Sequence, residues 1–441
     1  MRADELSSNS RGAPDLSAEL TRGGLQVLAI NFAATGLGFL SLLIVARALG
    51  LSEYGRFVYA ITTVNFLLLP AVAGLDSVAV RFVASYSAGQ EHSKLIGLLR
   101  WLRTRVLVNS LVTTLVCVLS LLLLGLTGRL ELWSVMLIVA CGISLQAFSL
   151  MRQALLRGFK QVALSVIPEG IVRPLLMIGL VAAAWLLMPD SFDALWAAVI
   201  FLVVSALTFG VGQVFVSWYR PKAGTFSKTE LELELWKSLA SSAFIISVAN
   251  LVHSQADIWM LGTLASAELV GPYSAAAKYS LFVVFGMNAM NTMLGPMVAG
   301  AAGDRARLQQ LASRAVTISF VLGAVCAVVM LLAPIFFLGL FGSGFAEAVW
   351  PLRILVAAQL LNVACGSVGM LLSMTGHHRV LMQILAASVL WDIGLNALLI
   401  PRWEMAGAAV ATALSIVGWN LAALYVVRQR LQIRPSFGGM I

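Results

Sequence analysis

Long apolar runs separated by short polar breaks make up most of this 441-residue chain. A membrane core about 30 Å thick requires a helix of about 20 apolar residues. The pattern therefore predicts an all-α integral membrane protein with twelve transmembrane helices. The predicted spans are residues 24–46, 57–79, 105–127, 133–155, 163–187, 194–217, 238–262, 273–299, 315–340, 350–373, 380–400 and 405–427.

Short segments of the first half recur in the second half at nearly one spacing. The segments entering spans two and eight are 216 residues apart, as are those leaving spans four and ten, and those closing spans five and eleven are 212 apart. Since six spans separate the copies, both halves have the same orientation. This predicts two parallel-repeat six-helix bundles with a cleft between them. The matching segments are 55–60 and 271–276, 155–160 and 371–379, and 186–189 and 398–401.

The repeat divides the chain into five parts. The two bundles cover residues 24–217 and 238–427. The polar segment 218–237 is predicted to link them, either as a surface hinge or as a solvated linker helix, and the two roles are compatible. Residues 1–23 are predicted to be a disordered cytoplasmic tail, and residues 428–441 a basic one.

The positive charges predict the orientation of the helices. Of the 29 Lys and Arg residues, 22 fall in one set of alternate loops and tails, five on the other side and two inside spans. By the positive-inside rule both termini are predicted to be cytoplasmic. A hydrophobic content of 60% excludes a soluble domain. The net charge of +9 is scattered over short loops, which predicts contacts with anionic lipid headgroups and no nucleic-acid partner.

Ionisable residues inside predicted spans are candidates for function because charges are costly in a bilayer. Arg173 lies near the middle of span five, and Glu169 lies one helical turn earlier. An i, i+4 ion pair is one explanation. The other is that Arg173 also faces the cleft as a phosphate ligand, which a guanidinium fork suits. Pro168 and Pro174 flank the pair and are expected to break the helix.

The second half contains a comparable group. Lys278 in span eight and Asp257 in span seven are expected at similar depth, so they form an interhelical salt bridge or line the cleft and meet substrate or a coupling ion. His253, one turn before Asp257, is either a hydrogen-bonded core histidine or a further proton site.

Two more carboxylates lie within or at the edge of spans. Asp392 is near the middle of span eleven, with Asn396 one turn on. It could carry a coupling H⁺ or Na⁺, or stay protonated against Asn396 or a neighbouring helix. Asp76 and Arg81, at the inner end of span two, are expected to form a boundary pair.

Five short motifs run through the membrane region: ARALG at 46–50, LRGFK at 156–160, ADIWMLG at 256–262, VGPYSAAAK at 270–278 and GAAVAT at 407–412. Together they resemble bacterial polysaccharide flippases, the O-antigen and exopolysaccharide transporters of the multidrug, oligosaccharidyl-lipid and polysaccharide exporter superfamily. The resemblance implies a V-shaped pair of bundles that moves an undecaprenyl-pyrophosphate-linked oligosaccharide across the bacterial cytoplasmic (inner) membrane by alternating access. Arg173, Lys278 and Arg81 are then candidate ligands for the pyrophosphate.

Two other functions stay open on sequence alone. A cation-coupled multidrug antiporter of the same superfamily is expected to carry more membrane carboxylates. A membrane-embedded transferase or polymerase acting on the same lipid usually needs a large loop outside the membrane, and the spans leave none. The chain has no nucleotide-binding loop and no zinc motif, so we expect no enzyme activity and no cofactor other than a coupling H⁺ or Na⁺. Expected partners are membrane lipids, glycosyltransferases and a polysaccharide polymerase.

Overall fold

The computed structural model describes residues 16–125, 130–219, 230–301 and 304–435. Every regular element in these ranges is a helix. The first half contains α1 (Leu16–Val72), α2 (Leu75–Ala88), α3 (His92–Gly125), α4 (Leu130–Cys141), α5 (Ile143–Gly158), α6 (Val162–Ile167), a π-helical turn (Pro168–Val172), α7 (Arg173–Leu187) and α8 (Ala194–Tyr219).

The second half repeats this succession of long helices. It contains α9 (Leu233–Leu264), α10 (Ala267–Ser280), α11 (Phe285–Gly300), α12 (Arg305–Leu332), α13 (Pro334–Gly339), a 3₁₀ turn (Phe345–Ala348), α14 (Val349–Cys365), α15 (Val368–Met374) and α16 (His378–Arg430).

The helices account for the twelve predicted spans. Eight stretches are long and apolar enough to cross a membrane, and α4 with α5 forms a ninth across a bend of 41°. Two of the eight are interrupted, because Gly50 in α1 and Glu404 in α16 leave the helical backbone, and each stretch therefore supplies two spans. The α10–α11 pair completes the set. Gly50 has a φ of 74°, a left-handed conformation that glycine adopts without a steric penalty. The all-α membrane fold is confirmed.

Several helices continue beyond their predicted ends on the side where α2 ends and α3 begins, which we call the basic face. The apolar pattern predicts a span from residue 105, whereas α3 begins at His92. In the sequence, Arg100, Arg103 and Arg105 mark the start of the apolar run of span three. Long cationic side chains can lay their stems along a helix and extend their charges towards headgroups, so the helix continues where the hydropathy falls.

Residues one repeat apart meet each other where the two halves join. Ser52 Oγ donates a hydrogen bond of 3.1 Å to Glu268 Oε1, and these positions are 216 residues apart. Gly55 and Gly271 have the same spacing, and a Cβ atom on Gly271 would lie only 3.1 Å from the backbone nitrogen of Gly55. Two residues at equivalent positions of a repeat can touch each other only if both lie beside the two-fold axis that relates the two copies. These contacts therefore confirm the parallel repeat and place its axis between the halves.

Contacts between the halves also close the face opposite the basic face. Arg47 Nε donates to the backbone oxygen of Leu340 at 2.7 Å. The ring of Tyr54, which is buried, packs against Phe341 and Phe345 with centroid distances of 6.2 and 5.7 Å. We call this region, residues 47–56 against 266–271 and 340–345, the closed face.

At the basic face the start of α9 is attached to the first half. Glu232 accepts a hydrogen bond of 2.5 Å from Tyr86 Oη and lies 2.8 Å from Lys94 Nζ. Lys94 holds the pKa of Glu232 below its usual value, and Glu232 in turn raises the pKa of Lys94. Trp236 Nε1 donates to Tyr86 Oη at 3.0 Å. The middle of the predicted linker, 220–229, lies outside the described residues, as do most of the predicted N-terminal tail and the end of the C-terminal one.

Candidate functional site

A polar cavity of about 540 Å³ lies in the first half and extends to α9. Its wall is formed by α1, α2, α5, α8, α9 and the region of the π-helical turn. It extends from the middle of the membrane towards the basic face, where Gly74 and Asp76 line it. Most of its polar side chains are amides and hydroxyls: Asn65, Gln146, Ser149, Gln153, Ser205, Thr208, Ser247, Asn250, Ser254 and Gln255.

Arg173 provides the positive charge of this cavity. It begins α7 directly after the π-helical turn, which starts at Pro168, and the break expected from the prolines is therefore present. Its guanidinium Cζ lies 4.5 Å from the ring centroid of Phe201 in α8, a cation–π contact that holds the side chain against the wall. Within the described part of the chain, Arg173 forms no ion pair within 4.0 Å. Its donors therefore remain free to bind a ligand.

The expected ion pair between Glu169 and Arg173 is not the one that forms. Glu169 instead pairs with Arg152 of α5, and Arg173 interacts with the same carboxylate only at longer range. Arg152 lies near the end of predicted span four, within α5, which continues to Gly158, and its side chain is only 2% exposed. An arginine from a neighbouring helix therefore neutralises Glu169.

A second cavity, of about 500 Å³, lies between the part of α1 before Gly50 and the helices α10 and α11. The exposed side chain of Lys278 lines it, as do Phe39, Phe282 and Phe285. The predicted salt bridge between Lys278 and Asp257 is wrong, because no carboxylate of the described residues lies within 4.0 Å of Lys278. This cavity is mostly apolar with a single cation.

Asp257 belongs instead to a buried hydroxyl cluster in the second half. Its Oδ2 accepts hydrogen bonds from Tyr273 Oη at 2.6 Å and from Thr412 Oγ1 at 3.1 Å. Its Oδ1 accepts from the backbone N–H of Ile258 at 2.8 Å. These donors satisfy the carboxylate without a cation, which is the physical reason why Lys278 is not needed as its partner.

Asp392 lies in the first arm of α16, beside this cluster. It is buried and close enough to Asp257 and Ser415 to interact electrostatically with both. Asn396 donates to the backbone oxygen of Asp392 at 3.0 Å, which differs from the expected contact with the carboxylate itself. The buried Oγ atoms of Ser388 and Ser415 have no hydrogen-bond partner among the described residues. Two carboxylates and several hydroxyls thus converge inside the second half.

The remaining candidates are separate from these clusters. His253 lies one turn before Asp257 in α9, and its buried Nδ1 has no partner among the described residues, so the expected hydrogen-bonded core histidine is not observed there. Asp76 and Arg81 do not form the expected boundary pair in the described structure. Asp76 lines the polar cavity, whereas Arg81 is exposed, with its guanidinium 5.7 Å from the ring centroid of Phe82.

Sequence reasoning missed three polar residues of these sites. Arg152 could have been found, since it lies well before Gly158 and is separated from the loop cations that follow. Tyr273 and Thr412 each lie in a quoted motif, VGPYSAAAK and GAAVAT. Neither motif indicates that these hydroxyls bond Asp257, which is 155 residues from Thr412.

A family model described as "Polysaccharide biosynthesis protein" matches residues 20–302, which is more than half of the chain. The chain belongs to this family. It is also 23% identical over 403 residues to the probable low-salt glycan biosynthesis flippase Agl15 of Haloferax volcanii, covering 90% of this chain and 81% of that protein.

Solved structures show the same fold at low sequence identity. An inward-facing multidrug resistance MATE family transporter of the MOP superfamily matches with a TM-score of 0.72 and 14% identity, covering 92% of this chain and 98% of the other. The lipid II flippase MurJ in an inward closed conformation matches with a TM-score of 0.70 and 14% identity, covering 92% and 87%. The resemblance inferred from the sequence motifs is thereby confirmed.

Proposed function

We propose that this protein moves a lipid-linked glycan across the membrane by alternating access. The observation that carries the proposal is the polar cavity around Arg173, which extends towards one face while contacts between the halves close the other. Amides and hydroxyls suit the many hydroxyls of a sugar, and a guanidinium suits a phosphate. Membership of the polysaccharide biosynthesis family and the similarity to a glycan biosynthesis flippase support the same substrate class.

The finer proposal is an undecaprenyl-pyrophosphate-linked oligosaccharide of bacterial polysaccharide synthesis. In this proposal the basic face is cytoplasmic, in the inner membrane, as the distribution of Lys and Arg indicates. Arg81, exposed near that face, would attract the pyrophosphate, and Arg173 would bind it in the cavity. Glycosyltransferases would supply the substrate, and a polymerase would consume it on the far side.

The cavity between α1 and α10–α11 suits the lipid part of such a substrate. A polyprenyl tail must stay in the bilayer while the sugar crosses, so a flippase needs a lateral opening. The aromatic residues Phe39, Phe282 and Phe285 provide an apolar wall there. Lys278 on the same wall would hold the pyrophosphate as it enters or leaves.

Release on the far side requires the closed face to open. The polar contacts to be broken are Ser52 to Glu268 and Arg47 to the backbone of Leu340. Exposed polar contacts of this kind contribute about 1 kcal/mol each or less. The packing of the buried Tyr54 ring against Phe341 and Phe345 must also separate, and burial of one large side chain is worth about 1.5–3 kcal/mol. The bound substrate would have to supply this difference through contacts that are stronger in the opened state.

We also propose that the carboxylate cluster of the second half binds the coupling cation, H⁺ or Na⁺. Asp257 and Asp392 lie near each other among hydroxyls, and oxygen ligands suit a hard cation. Among the described residues no group of three or more His, Cys, Asp and Glu side chains is placed to hold a metal ion. A monovalent ion therefore fits this cluster better than a divalent one.

Transport by reconstituted vesicles tests the substrate site. Arg173→Gln should lower the rate of translocation of a fluorescent lipid-linked oligosaccharide at least tenfold, since one charge-assisted contact is worth about 1.5–3 kcal/mol. Arg173→Lys should retain part of the activity. Arg379→Gln is the matched control, because Arg379 is exposed near the start of α16 and lies outside the cavity lining. Wild-type transport by Arg173→Gln would refute the proposed site.

The coupling site has its own test. The dependence of transport on pH and on Na⁺ should disappear in Asp392→Asn, while Asp190→Asn, which changes an exposed residue near the closed face, should keep it. A gradient dependence that survives in Asp392→Asn would exclude this carboxylate from coupling without affecting the substrate assignment.

A multidrug antiporter remains the alternative within the superfamily. A cationic drug would be repelled by a free Arg173. Two carboxylates line the cavity: Glu169 is neutralised by Arg152, whereas Asp76 forms no ion pair among the described residues. The electrostatics on the Arg173 side of the cavity therefore favour an anionic substrate.

A further inference from the structure

A third pocket lies on the other side of the Arg152–Glu169 ion pair. It has a volume of about 440 Å³ and is formed by α3, α5 and α8 in the half of the membrane next to the basic face. We call it the α3–α8 pocket. Glu169 lines the polar cavity and Arg152 lines the α3–α8 pocket, so the ion pair stands in the wall between the two.

Arg152 brings unused hydrogen-bond donors to this pocket. One terminal nitrogen pairs with Glu169, but Nε and the other terminal nitrogen, Nη1, are buried without a partner among the described residues. Gly212 of α8 lies directly against the guanidinium, where any side chain would collide with it. The site thus holds a cation that is 2% exposed and only partly satisfied. Buried donors of this kind require an acceptor.

The rest of the lining determines which acceptor fits. Arg103 of α3 adds a second cation, and the lining includes no carboxylate. Phe148, Phe209 and Leu107 supply apolar walls, and Leu107 is 44% exposed on the outer surface of α3. A pocket lined by two arginines, with apolar walls and an exposed side next to Leu107, matches an amphiphilic anion. The volume lies in the range of ordinary ligand sites, about 300–1,000 Å³.

We propose that the α3–α8 pocket binds an anionic phospholipid of the surrounding leaflet, with its phosphate on Arg103 and Arg152 and its acyl chain against the apolar walls. This site is separate from the proposed transport path. It would nevertheless communicate with that path, because the lipid phosphate and Glu169 share one guanidinium. A lipid that draws Arg152 towards itself weakens the neutralisation of Glu169 beside Arg173.

Binding to the purified full-length protein in neutral detergent tests the proposal without any glycan substrate. Native mass spectrometry should show phosphatidylglycerol bound more tightly than phosphatidylcholine. Arg103→Gln should weaken phosphatidylglycerol binding about fivefold, the effect of one cation beside a lipid phosphate. Arg105→Gln is the matched control, since it removes the same charge from the same helix at a residue outside the pocket lining, and it should change binding less than twofold.

A second variant adds charge rather than removing it. Gln213→Glu places a carboxylate in the lining at an exposed position, and it should weaken phosphatidylglycerol binding at least as much as Arg103→Gln. Equal binding of the two lipids, or equal effects of Arg103→Gln and Arg105→Gln, would overturn the proposal. Displacement of bound lipid by inorganic phosphate alone would show a free-anion site and would overturn the lipid assignment. Failure of glycan transport would leave these results unaffected, so the two proposals can fail separately.

Discussion

The ion pair between Arg152 and Glu169 gives the sharpest test of how the first half is stabilised. The Arg152 side chain is 2% exposed and that of Glu169 18% exposed. Removing one partner of a buried pair leaves an uncompensated charge and costs about 3–5 kcal/mol. Because Glu169 also faces the polar cavity, we expect Arg152→Met to cost about 3 kcal/mol. This corresponds to about a hundredfold change in the unfolding equilibrium.

The double variant separates loss of the pair from loss of packing. Arg152→Met combined with Glu169→Gln removes both charges and leaves a neutral amide facing the cavity. Replacing both members of a buried pair is often nearly neutral, so we expect a cost of about 1 kcal/mol or less. The double variant should therefore be more stable than Arg152→Met by about 2 kcal/mol. Measuring Glu169→Gln alone completes the cycle and gives the coupling energy of the pair.

The assay is reversible unfolding in mixed micelles with increasing denaturing detergent, followed by circular dichroism. Arg157→Met is the control, because Arg157 lies on the same helix but is exposed, and such surface changes stay within about 0.5 kcal/mol. If Arg152→Met and the double variant were equally unstable, the loss would come from packing against Gly212 and the reasoning from buried charge would be wrong.

Two further predictions concern the two faces. Gly55→Ala puts a Cβ against the backbone of α10, so distances across the closed face, measured by pulsed electron paramagnetic resonance, should increase and transport should fall. Gly179→Ala, which has open space around its Cβ, should change neither. At the basic face, Lys94 lowers the pKa of Glu232. The contact between Glu232 and Lys94 is therefore complete above the ordinary Glu pKa of about 4.3, and it is lost as the pH falls through the lowered pKa of Glu232. The indole N–H signal of Trp236 in tryptophan-labelled protein should shift in that acid range and should show no such transition in Glu232→Gln.

The sequence predicts the helices and their repeat because both depend on local or periodic signals. Apolar length determines where a helix can span the membrane, and six spans between copies determine their relative orientation. The contacts of Ser52 with Glu268 and of Gly55 with Gly271 then follow from the symmetry. The predicted start of span three, residue 105, lies well after the start of α3 at His92. The apolar pattern begins only after the arginines, whereas the helix already includes them.

The partners of the buried charges could not be predicted in the same way. For Glu169 the nearest cation in sequence is Arg173, yet Arg152 of α5 is the one that reaches it. Asp257 finds its donors in Tyr273 and in Thr412, 155 residues away. Pairing between helices depends on their rotation and depth, and the apolar pattern constrains neither closely. Candidate residues are therefore easier to predict than their contacts.

The two halves share one architecture but carry opposite charges on equivalent helices. Arg173 lies in span five and Asp392 in span eleven, its counterpart in the repeat. On the proposed function, Arg173 would bind the anionic part of the substrate, and Asp392 with Asp257 would bind the coupling cation. Each ligand would then neutralise the charge at its own site. A loaded protein would therefore bury little net charge when its halves rearrange, which lowers the electrostatic cost of crossing the membrane.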